Sequence, residues 1–116
     1  MIHRDSRPEW HIKELTMTIK IVPYDKGNPP GKLADAELHF GQGPLEGLRL
    51  IGFAVWERRT GNGRNVTFPA RSYSVNGERR SFSLLRPIVD STSQDRIRDL
   101  ILQAYAEHET AAAVTA

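Results

Sequence analysis

Residues 68–87 read FPARSYSVNGERRSFSLLRP, two alternating runs on either side of an Asn-Gly pair. Asn-Gly favours a two-residue hairpin loop, because both central residues need positive φ. Counting outward from that loop sets Val75 opposite Glu78, Tyr73 opposite Arg80, Arg71 opposite Phe82 and Pro69 opposite Leu84. Side chains alternate across a strand. One face therefore carries Arg71, Tyr73, Arg80 and Phe82, and the other Phe68, Ala70, Ser72, Ser81, Ser83 and Leu85. The small, serine-rich face suits a helix lying on it. Pro69 has no N–H for a ladder, which predicts a bulge near it.

The flanking segments extend this pattern. TGNGRN (60–65) places a second Asn-Gly between β-patterned runs, so strands near 48–59, 65–75 and 79–86 are expected to form an antiparallel meander. Upstream, TMTIKIV (16–22) and KLADAELHF (32–40) alternate as strands, the second with Ala34, Ala36, Leu38 and Phe40 on its apolar face. Gly52 marks a possible bulge in LRLIGFAVWERR (48–59). Downstream, Ser91 and Gln94 have capping-box spacing. Ile97, Leu100, Ile101, Ala104 and Tyr105 then form the apolar stripe of a helix of about four or five turns. The fold class expected is α+β: a five-stranded, mainly antiparallel sheet, a meander with two Asn-Gly hairpins, packed by one C-terminal amphipathic helix. Residues 1–12 read as a loose N-terminal arm, 13–109 as a single domain and 110–116 as a frayed tail.

Composition narrows the function classes. The chain of 116 residues has no cysteine, which removes disulfides and thiolate metal sites and fits a reducing compartment. No apolar run approaches the roughly 18 residues of a membrane span, and MIHRDSRPEW lacks the apolar core of a secretory signal, so a cytoplasmic location is expected. Charge is unevenly placed. Residues 1–55 hold seven basic and seven acidic side chains, residues 56–98 nine and four (net +5), and residues 99–116 none and three (net −3). All nine bases of the middle segment are arginine, whose planar fork matches phosphate and stacks on flat rings.

Catalytic and metal signatures do not emerge. The histidines at 3, 11, 39 and 108 share no ligand spacing, and His39 reads as a solvent-facing strand residue. GNPPGK (27–32) has three residues where a phosphate loop needs four between its glycines, and Leu33 stands where Ser or Thr is required. No nucleophile motif surrounds any serine. The reading is a non-enzymatic protein without cofactor or metal.

Two functions fit an Arg/aromatic sheet face. It can grip nucleic acid by phosphate contact and base stacking, with Arg71, Arg79, Arg80 and Arg86 on phosphates, Arg58, Arg59 and Arg64 at the neighbouring hairpin, and Tyr73 and Phe82 stacking. Arg, Trp and Tyr are equally the residues of protein interfaces, so a sheet edge with Trp56 or Tyr73 receiving a partner chain or a sister subunit fits as well.

One resemblance bears on the choice. A strand entering Phe68-Pro69-Ala70-Arg71, the turn Asn76-Gly77-Glu78 with Arg79-Arg80, Arg86-Pro87-Ile88, a Ser/Thr cap and a helix with Ile97, Ala104 and Tyr105 follow one another. In that order they resemble the stage V sporulation protein G (SpoVG) family, the septation regulators, over roughly residues 48–108. The resemblance implies a small α+β domain, a homodimer assembled through its sheet, and sequence-tolerant DNA or RNA binding by basic residues. The chain differs from the family pattern in having Arg71-Ser72 for Lys-Arg, Arg86 for the histidine before Pro-Ile, and an Ala-rich tail for an acidic one.

Overall fold

A computed structural model describes residues 17–23, 29–59 and 63–115. The N-terminal arm read over residues 1–12 and the Asn62 half of the first Asn-Gly turn lie outside the described residues. The described chain is α+β. Strands β1 (Met17–Pro23), β2 (Lys32–Phe40), β3 (Arg49–Glu57) and β4 (Arg64–Thr67) form one antiparallel sheet in sequence order. Strands β5 (Ala70–Val75) and β6 (Glu78–Ser83) form a separate two-stranded ribbon, and helix α1 (Thr92–Thr115) follows.

The expected single five-stranded sheet is therefore corrected to six strands in two sheets. The cause lies at Phe68-Pro69, where the run 65–75 divides. Phe68 turns into the core and meets Phe53 edge-on at 5.2 Å. Pro69, lacking an N–H, cannot continue the ladder, which ends at the Ala54–Thr67 pair. The chain thus breaks at Pro69 where a bulge was expected.

The bulge sits on β3. Leu38 pairs with Leu50 and Ala36 with Phe53, so Ile51 and Gly52 together oppose the single residue Glu37. Gly52 has φ of 109°, which favours glycine, and its open side admits Pro69. A methyl group there would stand 2.8 Å from Pro69 Cβ. The bulge and the proline together set where the ribbon leaves the sheet. At the ribbon's base, the Leu84 N–H donates to Pro69 O at 2.8 Å.

Alternation explains the core. Ala34, Ala36 and Leu38 of β2, Phe53 and Val55 of β3, and Val66 of β4 face Ile101 and Tyr105 of α1, all buried. Ile97 and Leu102 pack at the margin of this cluster. The alanines at the centre of β2 leave room for the bulkier helix side chains. The helix therefore lies on the four-stranded sheet, touching β1, β3 and β4. This corrects the expectation that it would cover the serine face of the β5–β6 hairpin; every residue of β5 is exposed, and all of β6 except Ser83.

The helix is longer than its apolar periodicity indicates, continuing through the Ala-rich segment to Thr115, as alanine's helix propensity favours. Its N-terminus is also held differently from the capping-box expectation. Asp90 Oδ1 accepts the Thr92 N–H at 2.9 Å, while the Gln94 amide donates to Leu85 O at 2.9 Å and so ties the helix to the segment leaving β6. Hydrogen bonding from the Thr92 side chain, and next from its N–H, holds the Asp90 carboxyl below its ordinary range. Among the described residues no helix is long and apolar enough to cross a membrane.

Candidate nucleic-acid interface

The ribbon's register follows from its loop. Asn76 and Gly77 have φ of 53° and 80°, both positive as a tight two-residue hairpin loop requires. Val75 pairs with Glu78, Tyr73 with Arg80 and Arg71 with Phe82. These six side chains share one face. The Tyr73 and Phe82 rings lie diagonally, 5.8 Å apart and tilted by 57°, and remain 42% and 40% exposed. Arg71 and Arg80 occupy the other diagonal. The face sets two open rings between two guanidiniums, the materials of base stacking and phosphate contact.

Arg80 Nη2 donates to Glu78 Oε1 at 2.9 Å, with both side chains more than half exposed. An ion pair in that setting contributes about 0–1 kcal/mol, so a phosphate can displace the carboxylate. Arg71 forms no ion pair among the described residues. Arg79 stands opposite Ser74 and therefore points to the ribbon's other face, beside Ser72 and Ser81. Arg86 is exposed in the irregular segment between β6 and α1.

The arginines of the other hairpin do not join this face. Arg64 begins β4 in the four-stranded sheet, and between it and Arg71 the ladder ends at Thr67 and the chain breaks at Pro69. Its guanidinium is engaged with the helix, donating to Glu109 Oε2 at 2.7 Å and lying 5.1 Å from the centre of the Tyr105 ring. Burial pushes the Tyr105 hydroxyl above its ordinary range, with the Glu109 charge adding to the effect. Arg58 and Arg59 are exposed at the end of β3, and Arg58 Nε donates to Arg64 O at 3.4 Å.

At that end lies an open cleft of about 870 Å³ lined by Pro30, Gly31, Trp56, Glu57, Arg58, Arg59 and Asn65. Sequence reasoning placed Trp56 only among partner-binding aromatics and did not single out Asn65. Their pairing across β3 and β4 belongs to the fold, and a two-residue loop counted from Asn-Gly would have set Thr60 opposite Asn65 instead.

The sheet face away from the helix carries a charged cluster. Glu37 Oε1 accepts from His39 Nε2 at 2.9 Å and from Arg49 Nη1 at 3.4 Å. The His39 hydrogen bond, opposed by desolvation and aided by the Arg49 charge, holds the Glu37 carboxyl below its ordinary range. His39 and Arg49, bonded to one carboxylate, join the polar faces of β2 and β3.

No protein-family model, curated protein or solved structure matches the chain.

Proposed function

We propose that the chain is a small SpoVG-like regulatory protein that binds DNA or RNA through the arginine/aromatic face of the β5–β6 ribbon, without catalysis and without a cofactor or metal. The observation that carries the reading is the exposure of Tyr73 and Phe82 between Arg71 and Arg80 on one face. Rings left open beside guanidiniums supply stacking and charge to any base sequence, so backbone contacts dominate and discrimination is weak. The order of segments over residues 48–108 supports the same assignment, and with it a cytoplasmic protein acting in septation or sporulation control.

A homodimer belongs to this reading. A lone two-stranded ribbon is marginal in water, and this one has an exposed face on each side. A sister subunit covering one face, with nucleic acid on the other, stabilises it.

The test is fluorescence anisotropy of labelled single-stranded DNA, duplex DNA and RNA at low and physiological salt. Four to six phosphate contacts give a slope of log affinity against log salt of about −3 to −5. Arg71→Ala with Arg80→Ala weakens binding to all sequences alike. A flat salt response, or no binding at low salt, refutes the reading.

A second reading, a protein-interaction module, is favoured by a different observation. Ile88 and Val89 are 97% and 89% exposed, and Leu84 and Ile51 are more than half exposed. Nucleic acid makes little use of such aliphatic surface, whereas a protein partner buries it.

A further inference from the structure

We propose that the cleft at the end of β3 and β4 is a subsite for a single nucleotide unit, with an unstacked base lying on Trp56 and its phosphate held by Arg58 and Arg59. It takes its ligand class from the nucleic-acid reading, but its geometry is independent of the ribbon, from which it is separated by the length of β4.

The cleft's volume of about 870 Å³ falls within the roughly 300–1,000 Å³ of small-ligand clefts. Its aromatic wall is fixed in place: Trp56 Nε1 donates to Thr67 Oγ1 at 2.8 Å, across the β3–β4 pairing. A ring already oriented loses little freedom when a base stacks on it. On the other side, Lys32 is the β2 partner of Trp56, and its ammonium lies 6.0 Å from the centre of the ring while bonded to Asp35 at 2.9 Å. The Asp35 carboxylate balances that charge, which leaves the anion contacts to the arginines.

The arginines supply the anion contacts. Arg59 has no ion pair among the described residues, and Arg58 uses only its Nε, on Arg64 O. Among the described lining residues, two guanidiniums against the carboxylate of Glu57 leave net +1. Asn65, the β4 partner of Trp56, brings an amide with both donor and acceptor capacity, as a base edge requires. An inorganic anion would leave the ring unused, and an apolar ligand would leave the arginines unused. A flat ring carrying a phosphate uses both.

The unit can arrive as a free nucleotide or as part of a strand, and titration separates the two. In the full chain, Trp10→Phe leaves Trp56 as the sole tryptophan. Its emission is followed on adding adenosine monophosphate, adenosine, inorganic phosphate or a four-nucleotide single strand. Quenching by the strand and by the monophosphate is expected, with phosphate alone giving none. Quenching by the monophosphate alone assigns the site to free nucleotides; quenching by the strand at much lower concentration assigns it to nucleic acid. Arg58→Ala with Arg59→Ala, both exposed positions, weakens either titration about tenfold, as expected for lost charge-assisted hydrogen bonds. Circular dichroism confirms that the variant is folded.

Silence of Trp56 toward both ligands, or quenching unchanged in the arginine variant, overturns the subsite. If long strands still bind with a steep salt response while Trp56 stays silent, the subsite falls and the ribbon reading stands. If monophosphate quenches Trp56 while Arg71→Ala with Arg80→Ala leaves long-strand binding untouched, the subsite stands and the ribbon reading falls.

Discussion

Gly52→Ala tests the joint between sheet and ribbon. The added methyl would stand 2.8 Å from Pro69 Cβ and 3.3 Å from Pro69 Cα, a backbone atom beside a rigid ring with little freedom to withdraw. Overpacking of this kind costs about 1–3 kcal/mol. The φ of 109° at Gly52 is outside the range alanine adopts readily, adding about 1–3 kcal/mol of strain. Reduced freedom of the unfolded chain returns about 0.4–1 kcal/mol. The net loss is about 3 kcal/mol, which at a slope of ~2 kcal/mol/M lowers the urea midpoint by about 1.5 M. A double-mutant cycle isolates the clash. In a Pro69→Gly background the methyl group meets no ring, so Gly52→Ala should cost less there by about 1–3 kcal/mol, with the φ strain remaining. Equal losses in the two backgrounds, or a midpoint shift below about 0.3 M, would refute the account of Pro69 seated on the bulge.

Three further outcomes follow from the packing and the charges. Ile101→Ala empties a fully buried position between the helix and the sheet and is expected to cost about 2–5 kcal/mol, read as a lower denaturation midpoint. Arg64→Ala removes the Glu109 ion pair and the stacking on Tyr105; it should cost about 0.5–1 kcal/mol and leave the anisotropy titrations unchanged, because this arginine is engaged by the helix. The carboxyl of Glu37 has its pKa depressed in the folded chain, so its contribution is present above its unfolded pKa and is lost as pH falls through the lower folded value. Urea midpoints of the wild type and Glu37→Gln should therefore differ at pH 7 and converge as pH falls below about 4.5; a constant difference would remove Glu37 from the acid response.

Much of the fold is legible because local chemistry decides it. The alternation of KLADAELHF puts Ala34, Ala36 and Leu38 on one face of β2, and burial follows that pattern. Ile101 and Tyr105 stand at helical spacing, and both reach the core. Asn76-Gly77 admits few loops other than a tight one, which made the pairing of Tyr73 with Arg80 countable. What escaped the sequence are the decisions made between elements. Phe68 could serve as a strand residue or as a core plug, and only its meeting with Phe53 selects the second. The helix could cover either apolar-compatible surface, and the larger one prevailed. Similarly, Asp90 and Gln94 both found partners that capping-box spacing does not anticipate.

The candidate site shows the same division. The arginine-rich middle segment reads in sequence as one field of net charge +5, yet its arginines are distributed among different tasks. Arg64 and Arg98 serve the helix: the first bonds Glu109 and lies on Tyr105, while the second bonds Asp95 at 2.7 Å and lies 5.5 Å from the Phe68 ring centre. Each therefore sets an arginine between an acid of the helix and an aromatic ring, and the Phe68 contact bears on the residue that separates sheet from ribbon. Arg79 and Arg80, adjacent in sequence, diverge to opposite faces because a strand alternates. A strand of nucleic acid lying on the Tyr73–Phe82 face can engage Arg71 and Arg80 together, whereas Arg79 then belongs to a different surface. The effects of Arg79→Ala and Arg80→Ala on binding should consequently differ if one face is the interface and match if the field as a whole attracts the ligand. That comparison distinguishes a built surface from a diffuse charge, which composition alone cannot do.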